Sequence, residues 1–428
     1  MARRSVLRLA VSAAITSVVS GRSHARDGGR MRTWPPDAPL SVKRLERITA
    51  YFKNEVAERK IPGAVVLVQR GGKPVYLGAF GLIDPRSSER MTPQAIFRMY
   101  SMTKPITSVA AMMLVDDGKL QLEDPLSKYI PSFATMFVGV ESKSPEGDGV
   151  LTLERATRPI TIKDLMRHSA GFPYGFYGEG LVRKVYGNAD FISQDISNAE
   201  LAEKIALAPL KEQPGTVWDY GYAIDVLGRV IEVASGKTLY AFESERLLKP
   251  LGMSDTGFYV PDQAKHHLIA EPLPQDRRLN IDLIRNPRKR PKMESGGGGM
   301  VSTVGDFARF CQMILSGGTL DGRRYLRPET LSAMTTNQIE PDGPIKRGDY
   351  YFPGDGFGFG LGFGIRVEPG ERADPGVLGE LKWDGAGGAY FWIDRMHDMF
   401  AVLMIQSPSE RGRIQREFKA LVYDAFEN

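Results

Sequence analysis

Strand-forming sequence sits at the two ends of this chain and gives way to helical pattern between them, a distribution that admits few folds. Near the start, Leu45, Ile48, Phe52 and Val56 recur at helical spacing over residues 42 to 59. A hairpin follows, in which Gly71-Gly72 turns between the apolar runs 64–70 and 75–80. A further helix runs from Ser101 to Asp117 and stops at Gly118. From about Gln121 to Ala333 the pattern is helical, over 162–167, 198–208, 222–235, 239–248 and 304–315. Strand signals return only over 357–367, 378–383, 389–394 and 399–406, before a closing helix over 410–426. The expectation is an α/β (α+β) fold. Residues 42–120 and 334–428 build one antiparallel sheet flanked by helices, and residues 121–333 form an inserted, mostly helical domain.

Residues 1–25 read as a targeting leader: a basic start, an apolar stretch from Leu9 to Val19, and Ser23 and Ala25 placed as a cleavage site. Arg3-Arg4-Ser5-Val6-Leu7-Arg8 resembles a twin-arginine export signal, so the expected destination is the periplasm or outside the cell. The competing reading is a mitochondrial transit peptide, or no export at all. A Pro-rich linker over 26–41 separates the leader from the fold. The leader carries four arginines and no acid, and so accounts for most of the formal charge of +5. The rest of the chain offers no electrostatic reason for a nucleic-acid partner. The one basic run, Arg285 to Lys292, is broken by Pro287 and Pro291 and reads as a solvated loop. No segment supplies about 20 consecutive apolar residues, so stable membrane insertion is not expected.

The single cysteine, Cys311, lies on an apolar helical face and reads as a buried structural thiol. Among five histidines, His24 falls in the leader, His266 and His267 are adjacent, and His168 and His397 stand alone. None has metal-ligand spacing, and no metal or cofactor is expected. The nucleophile is therefore sought among hydroxyls, which attack only when a neighbouring group removes their proton. Ser101-Met102-Thr103-Lys104 is the one Ser-x-x-Lys in the chain. Positions i and i+3 at a helix start place both side chains on one face, and the helix N-terminus favours negative charge developing at Ser101.

The flanks of this tetrad, Phe97-Arg98-Met99-Tyr100-Ser101-Met102-Thr103-Lys104-Pro105-Ile106-Thr107, resemble the nucleophile motif of the serine β-lactamase and penicillin-binding-protein superfamily. The branch they resemble is that of the family VIII, class C β-lactamase-like bacterial esterases. The resemblance extends from about Val42 to the C-terminus. It implies a β-lactamase/transpeptidase-like fold and gives Tyr220, in Asp219-Tyr220-Gly221-Tyr222, the catalytic tyrosine position. It aligns Lys382-Trp383-Asp384-Gly385 with the family's K-T-G strand and Met166-Arg167-His168-Ser169-Ala170-Gly171 with its H-T-S-G loop. By the same resemblance the backbone N–H groups of Ser101 and Ala386 form an oxyanion hole.

Tyr222 stands where the family carries Asn, and Trp383 stands where it carries Lys. Tyr222, Trp383 and Gly385 are accordingly the expected substrate-binding residues. Loss of the amide and the cation points away from anionic lactams and peptides and toward small neutral esters. The expected activity is a serine carboxylesterase with Ser101, Lys104 and Tyr220 as its catalytic residues, the choice between Lys104 and Tyr220 as base being open. The segments 174–177 and 350–363 either wall an acyl pocket or pack as ordinary loop and strand. The rivals are a β-lactamase, D-amino-acid peptidase or acyltransferase of the same fold, and an inactive binding or scaffold protein. The expected partner is a small-molecule ester; the oligomeric state is open.

Overall fold

The computed structural model describes residues 34–427 except residue 190 and residues 192–194, 279–285, 340–342 and 371–373. The expected leader and Arg285 lie outside the described residues. Five helices of twelve or more residues carry the fold: α1 (Val42–Ala57), α2 (Thr103–Asp116), α3 (Ala223–Ser235), α4 (Val304–Leu315) and α5 (Arg411–Tyr423). The strands of three or more residues are β1 (Gly63–Arg70), β2 (Lys73–Gly81), β3 (Phe137–Lys143), β4 (Gly149–Arg155), β5 (Phe357–Phe359), β6 (Gly364–Arg366), β7 (Leu381–Asp384), β8 (Tyr390–Asp394) and β9 (Met399–Ile405).

Seven of them form one antiparallel sheet in the order β5-β6-β7-β8-β9-β1-β2, so the strands from the two chain ends pair inside it, one strand in from the β2 edge. There β1 pairs with β9, Ala64 opposite Ile405 and Arg70 opposite Met399. Gly71 and Gly72 join β1 to β2 with φ of 58° and 71°, the positive pair that a two-residue hairpin turn requires. Every residue of β9 is buried because both faces of the sheet are covered. Val65, Leu67, Phe400, Val402 and Met404 share a core with α2, α3 and α4. Val66, Val68, Ala401 and Leu403 pack instead against Leu45, Ile48 and Phe52 of α1 and Ile414, Phe418 and Val422 of α5. Each such side chain contributes roughly 1.5–3 kcal/mol of burial.

The sequence reading needs three corrections here. The middle of the chain is not free of strand: β3 and β4 form a hairpin from Phe137 to Arg155. Its residues are largely exposed, with only Val138 and Gly139 buried, so it lacks the buried apolar run by which β1 and β9 are recognised. The expected single strand over 357–367 is two, β5 and β6, folded on each other with Phe359 opposite Gly364. The described part of the expected linker is packed, not free: the Trp34 ring lies 5.2 Å from Tyr423 and 5.8 Å from Phe426. Among the described residues no helix is long and apolar enough to cross a membrane.

Candidate active site

α2 is the pivot of the site. Every residue from Thr103 to Leu114 is buried, as expected of a helix covered on all sides. A helix of that kind carries its one lysine into the interior, and Lys104 is 1% exposed. Ser101 precedes it in a single 3-10 turn, Tyr100–Met102. Tyr100 holds φ of 46°, an uncommon value for a side chain with a Cβ.

Lys104 Nζ donates to the Gly297 carbonyl (2.6 Å) and to the Tyr174 hydroxyl (3.2 Å), and lies 3.4 Å from Ser101 Oγ. Among the described residues no carboxylate bonds to it. Burial lowers its pKa to about 7, against the pull of Asp225 and Asp384. A neutral amine has two N–H groups and one lone pair, which matches two acceptors and one hydroxyl proton to be taken. Tyr220 and Ser101 line the same cavity, and burial pushes the Tyr220 pKa well above 10.0 against the lowering influence of Ser101. The Tyr220 ring lies under Lys104, with Nζ 4.5 Å from the centroid.

Two crossings of the chain fix these groups. The loop after His168 runs beside Tyr220: Tyr222 N–H donates to Phe172 O (2.9 Å), and Tyr174 N–H to Tyr220 O (3.2 Å). Gly221 permits the approach, since a Cβ there would overlap the Phe172 carbonyl. A buried ion pair braces both strands of this crossing. Arg183 bonds both oxygens of Asp219 (2.8 and 2.7 Å) and the Tyr174 carbonyl (3.1 Å). In the second crossing Asp225, in the first turn of α3, accepts from Ser295 Oγ and from Gly297 N–H (3.1 Å). That bond turns the Gly297 carbonyl onto Lys104.

Ser101, Tyr220, Tyr222 and Ala386 come together around a cavity of ≈ 100 Å³ that also takes in Tyr174, Phe176, Tyr177, Phe191, Asp225 and Met293. Gly385 does not line it. A Cβ at Gly385 would overlap the Met99 carbonyl, so its lack of a side chain lets the end of β7 close on the nucleophile's turn and bring Ala386 to the cavity. Trp383 does not line it either, a second departure from the expected substrate-binding set. Its indole is buried behind Tyr220, 5.8 Å from that ring and 5.3 Å from Phe359, and opens on a neighbouring cleft with Phe352 and Asp384. β7 presents alternate side chains to opposite faces, and the register with β8, Trp383 opposite Phe391, turns the indole toward the helical core.

Sequence reasoning placed Tyr174 only as a wall and missed Gly297 and Asp225 altogether. The glycine run from Ser295 to Gly299 was the available signal, because glycine lets a backbone approach its neighbours closely, and a Cβ at Gly297 would overlap the Asp225 carboxylate. His168 is fully buried, with its ring 4.9 Å from Tyr220, and burial then Lys104 push its pKa well below 6.5.

A family model described as Beta-lactamase matches residues 48–424. Among similar proteins, Rv1367c of Mycobacterium tuberculosis is 35% identical over 359 residues, covering 81% of this chain and 86% of its own. Esterase EstB of Burkholderia gladioli is 30% identical over 386 residues, 85% of this chain and 91% of its own. Among solved structures, EstCE1, described as a hydrolase with promiscuous acyltransferase activity, superposes with a TM-score of 0.73 at 25% identity, covering 89% of this chain and 99% of its own.

Proposed function

The chain belongs to the β-lactamase family, and from that membership we propose that it is a serine carboxylesterase acting on small esters without an anionic group, through an acyl-enzyme on Ser101. Neutral Lys104 takes the Ser101 proton as Oγ bonds to the ester carbonyl carbon. The N–H groups of Ser101 and Ala386 stabilise the oxyanion. Tyr220, protonated, gives its proton to the departing alkoxide as the C–O bond breaks, and recovers one from Lys104. Water then enters by the same path in reverse and releases the acid.

The observation that carries the ester assignment is the cavity wall. Among the described residues it holds aromatic rings and no cationic side chain, whereas a carboxylate-bearing lactam needs a positive partner. Its relative EstB is named an esterase, which supports the same reading. The test compares kcat/KM for nitrophenyl butyrate, a chromogenic cephalosporin and a D-alanyl peptide. Faster turnover of the lactam or peptide than of the ester overturns the assignment. Acyl transfer to an added alcohol is the second reading, favoured by the description of EstCE1 and read in the same assay as alcohol-dependent ester formation. The arginine-bearing leader supports export of the enzyme, tested by fractionating cells that express the full chain.

A further inference from the structure

We propose that the cavity over Ser101 selects esters whose acyl group carries a cationic ammonium head, which Asp225 and the surrounding aromatic faces would hold. The proposal rests on the esterase reading of that site and goes beyond it by naming the substrate's charge. Asp225 is the one charged side chain lining the cavity among the described residues. Its Oδ1 receives both Ser295 Oγ and Gly297 N–H, which leaves Oδ2 as the oxygen available to a ligand. The N-terminus of α3 supports the negative charge there. Tyr222, Phe191 and Tyr174 line the same cavity, with Tyr222 in edge-to-face contact with the other two, 4.6 Å from Tyr174 and 5.4 Å from Phe191 between centroids. Phe176 and the Met293 thioether complete the wall. π-faces, a polarisable sulfur and one carboxylate oxygen are the surroundings that bind ammonium heads. Lys104 already lies over the rings of Tyr174 and Tyr220 at 5.5 and 4.5 Å, so an amine is accommodated by this wall. In its neutral form Lys104 would not repel a second one.

The experiment compares two nitrophenyl esters of identical shape: trimethylammonio-butyrate, and the isostere in which carbon replaces the nitrogen. Each rate is divided by its uncatalysed rate. The expected result is a kcat/KM for the cation about tenfold or more above that for its isostere, carried in KM. In Asp225→Asn that ratio should fall to near one, whatever happens to the absolute rates. Equal ratios in the two proteins, or a wild-type ratio of one or less, overturn the inference while hydrolysis of the neutral ester leaves the esterase reading intact. If neither ester is hydrolysed, the esterase reading fails. Calorimetric binding of choline against its carbon isostere then still decides whether the cavity prefers the cation, and equal affinity refutes it.

Discussion

Protonating Lys104 should switch the enzyme off, and the structure sets the pH at which it happens. The ammonium is held down to about 7 because burial outweighs the pull of Asp225 and Asp384. A group lowered in this way loses its function as a base when pH falls through that value. One unit below, about one amine in eleven is neutral, so kcat/KM should drop roughly tenfold between a plateau above pH 8 and pH 6. Initial rates with nitrophenyl butyrate, read at the isosbestic wavelength of nitrophenol and corrected for spontaneous hydrolysis, give the profile. Among the described residues, His168 is the only other group nearby whose ordinary value lies in this range, but it is pushed well below 6.5. The limb should therefore persist in His168→Phe. Removing one attractive charge with Asp225→Asn should move the limb to lower pH. A profile flat from pH 6 to 8, or one still rising beyond pH 10 as a Tyr220 phenolate would require, would refute neutral Lys104 as the base.

Ser101→Ala should lower kcat by roughly 10³-fold or more with an unchanged fold, and mass spectrometry should find no fluorophosphonate adduct. Lys104→Ala and Tyr220→Phe should each cost nearly as much as the double variant, since members of one proton path are not additive; independent, multiplicative losses would show separate roles. Arg183→Leu leaves Asp219 buried and unpaired, and should cost about 3–5 kcal/mol in urea unfolding. A loss within 0.5 kcal/mol would mean the pair does not brace the crossing at Tyr174.

The parts of this fold legible in the sequence are those whose neighbours along the chain reveal their burial. α1 shows its stripe because only one face packs, and the β1–β2 turn announces itself through two adjacent glycines. α4 runs over the residues its periodicity predicts. The β3–β4 hairpin escapes because most of its side chains meet water and nothing forces alternation upon them. Within the site, Ser101 and Lys104 are local and readable from spacing alone, and Tyr220 came from a resemblance of flanking residues. The support of Lys104 is different in kind. Gly297 and Asp225 meet only because a loop 72 residues further along the chain crosses the start of α3, and no local pattern joins them. Trp383 shows the converse limit: its position in a motif was readable, but the side of Tyr220 on which its indole packs depends on strand register.

The pairing of strands from both chain ends inside one sheet governs how the molecule is made. β1 emerges from the ribosome early and finds its partner β9 only when almost the whole chain has been synthesised. Until then the edge of β1 away from β2 is open to wrong pairing, and closing so long a loop is slow. Synthesis should therefore depend on holding chaperones, and nascent chains truncated before residue 399 should aggregate. The same geometry leaves the ends adjacent, with Leu40 bridged to Phe426 and Glu427 N–H donating to Pro39 O at 2.8 Å. A circular permutant joined there by a short linker and opened at the exposed turn between β3 and β4 would carry β5 to β9 and then β1 and β2 in unbroken order. Its sheet would form as successive hairpins before α2 and β3 are made, and it should refold faster with the same site.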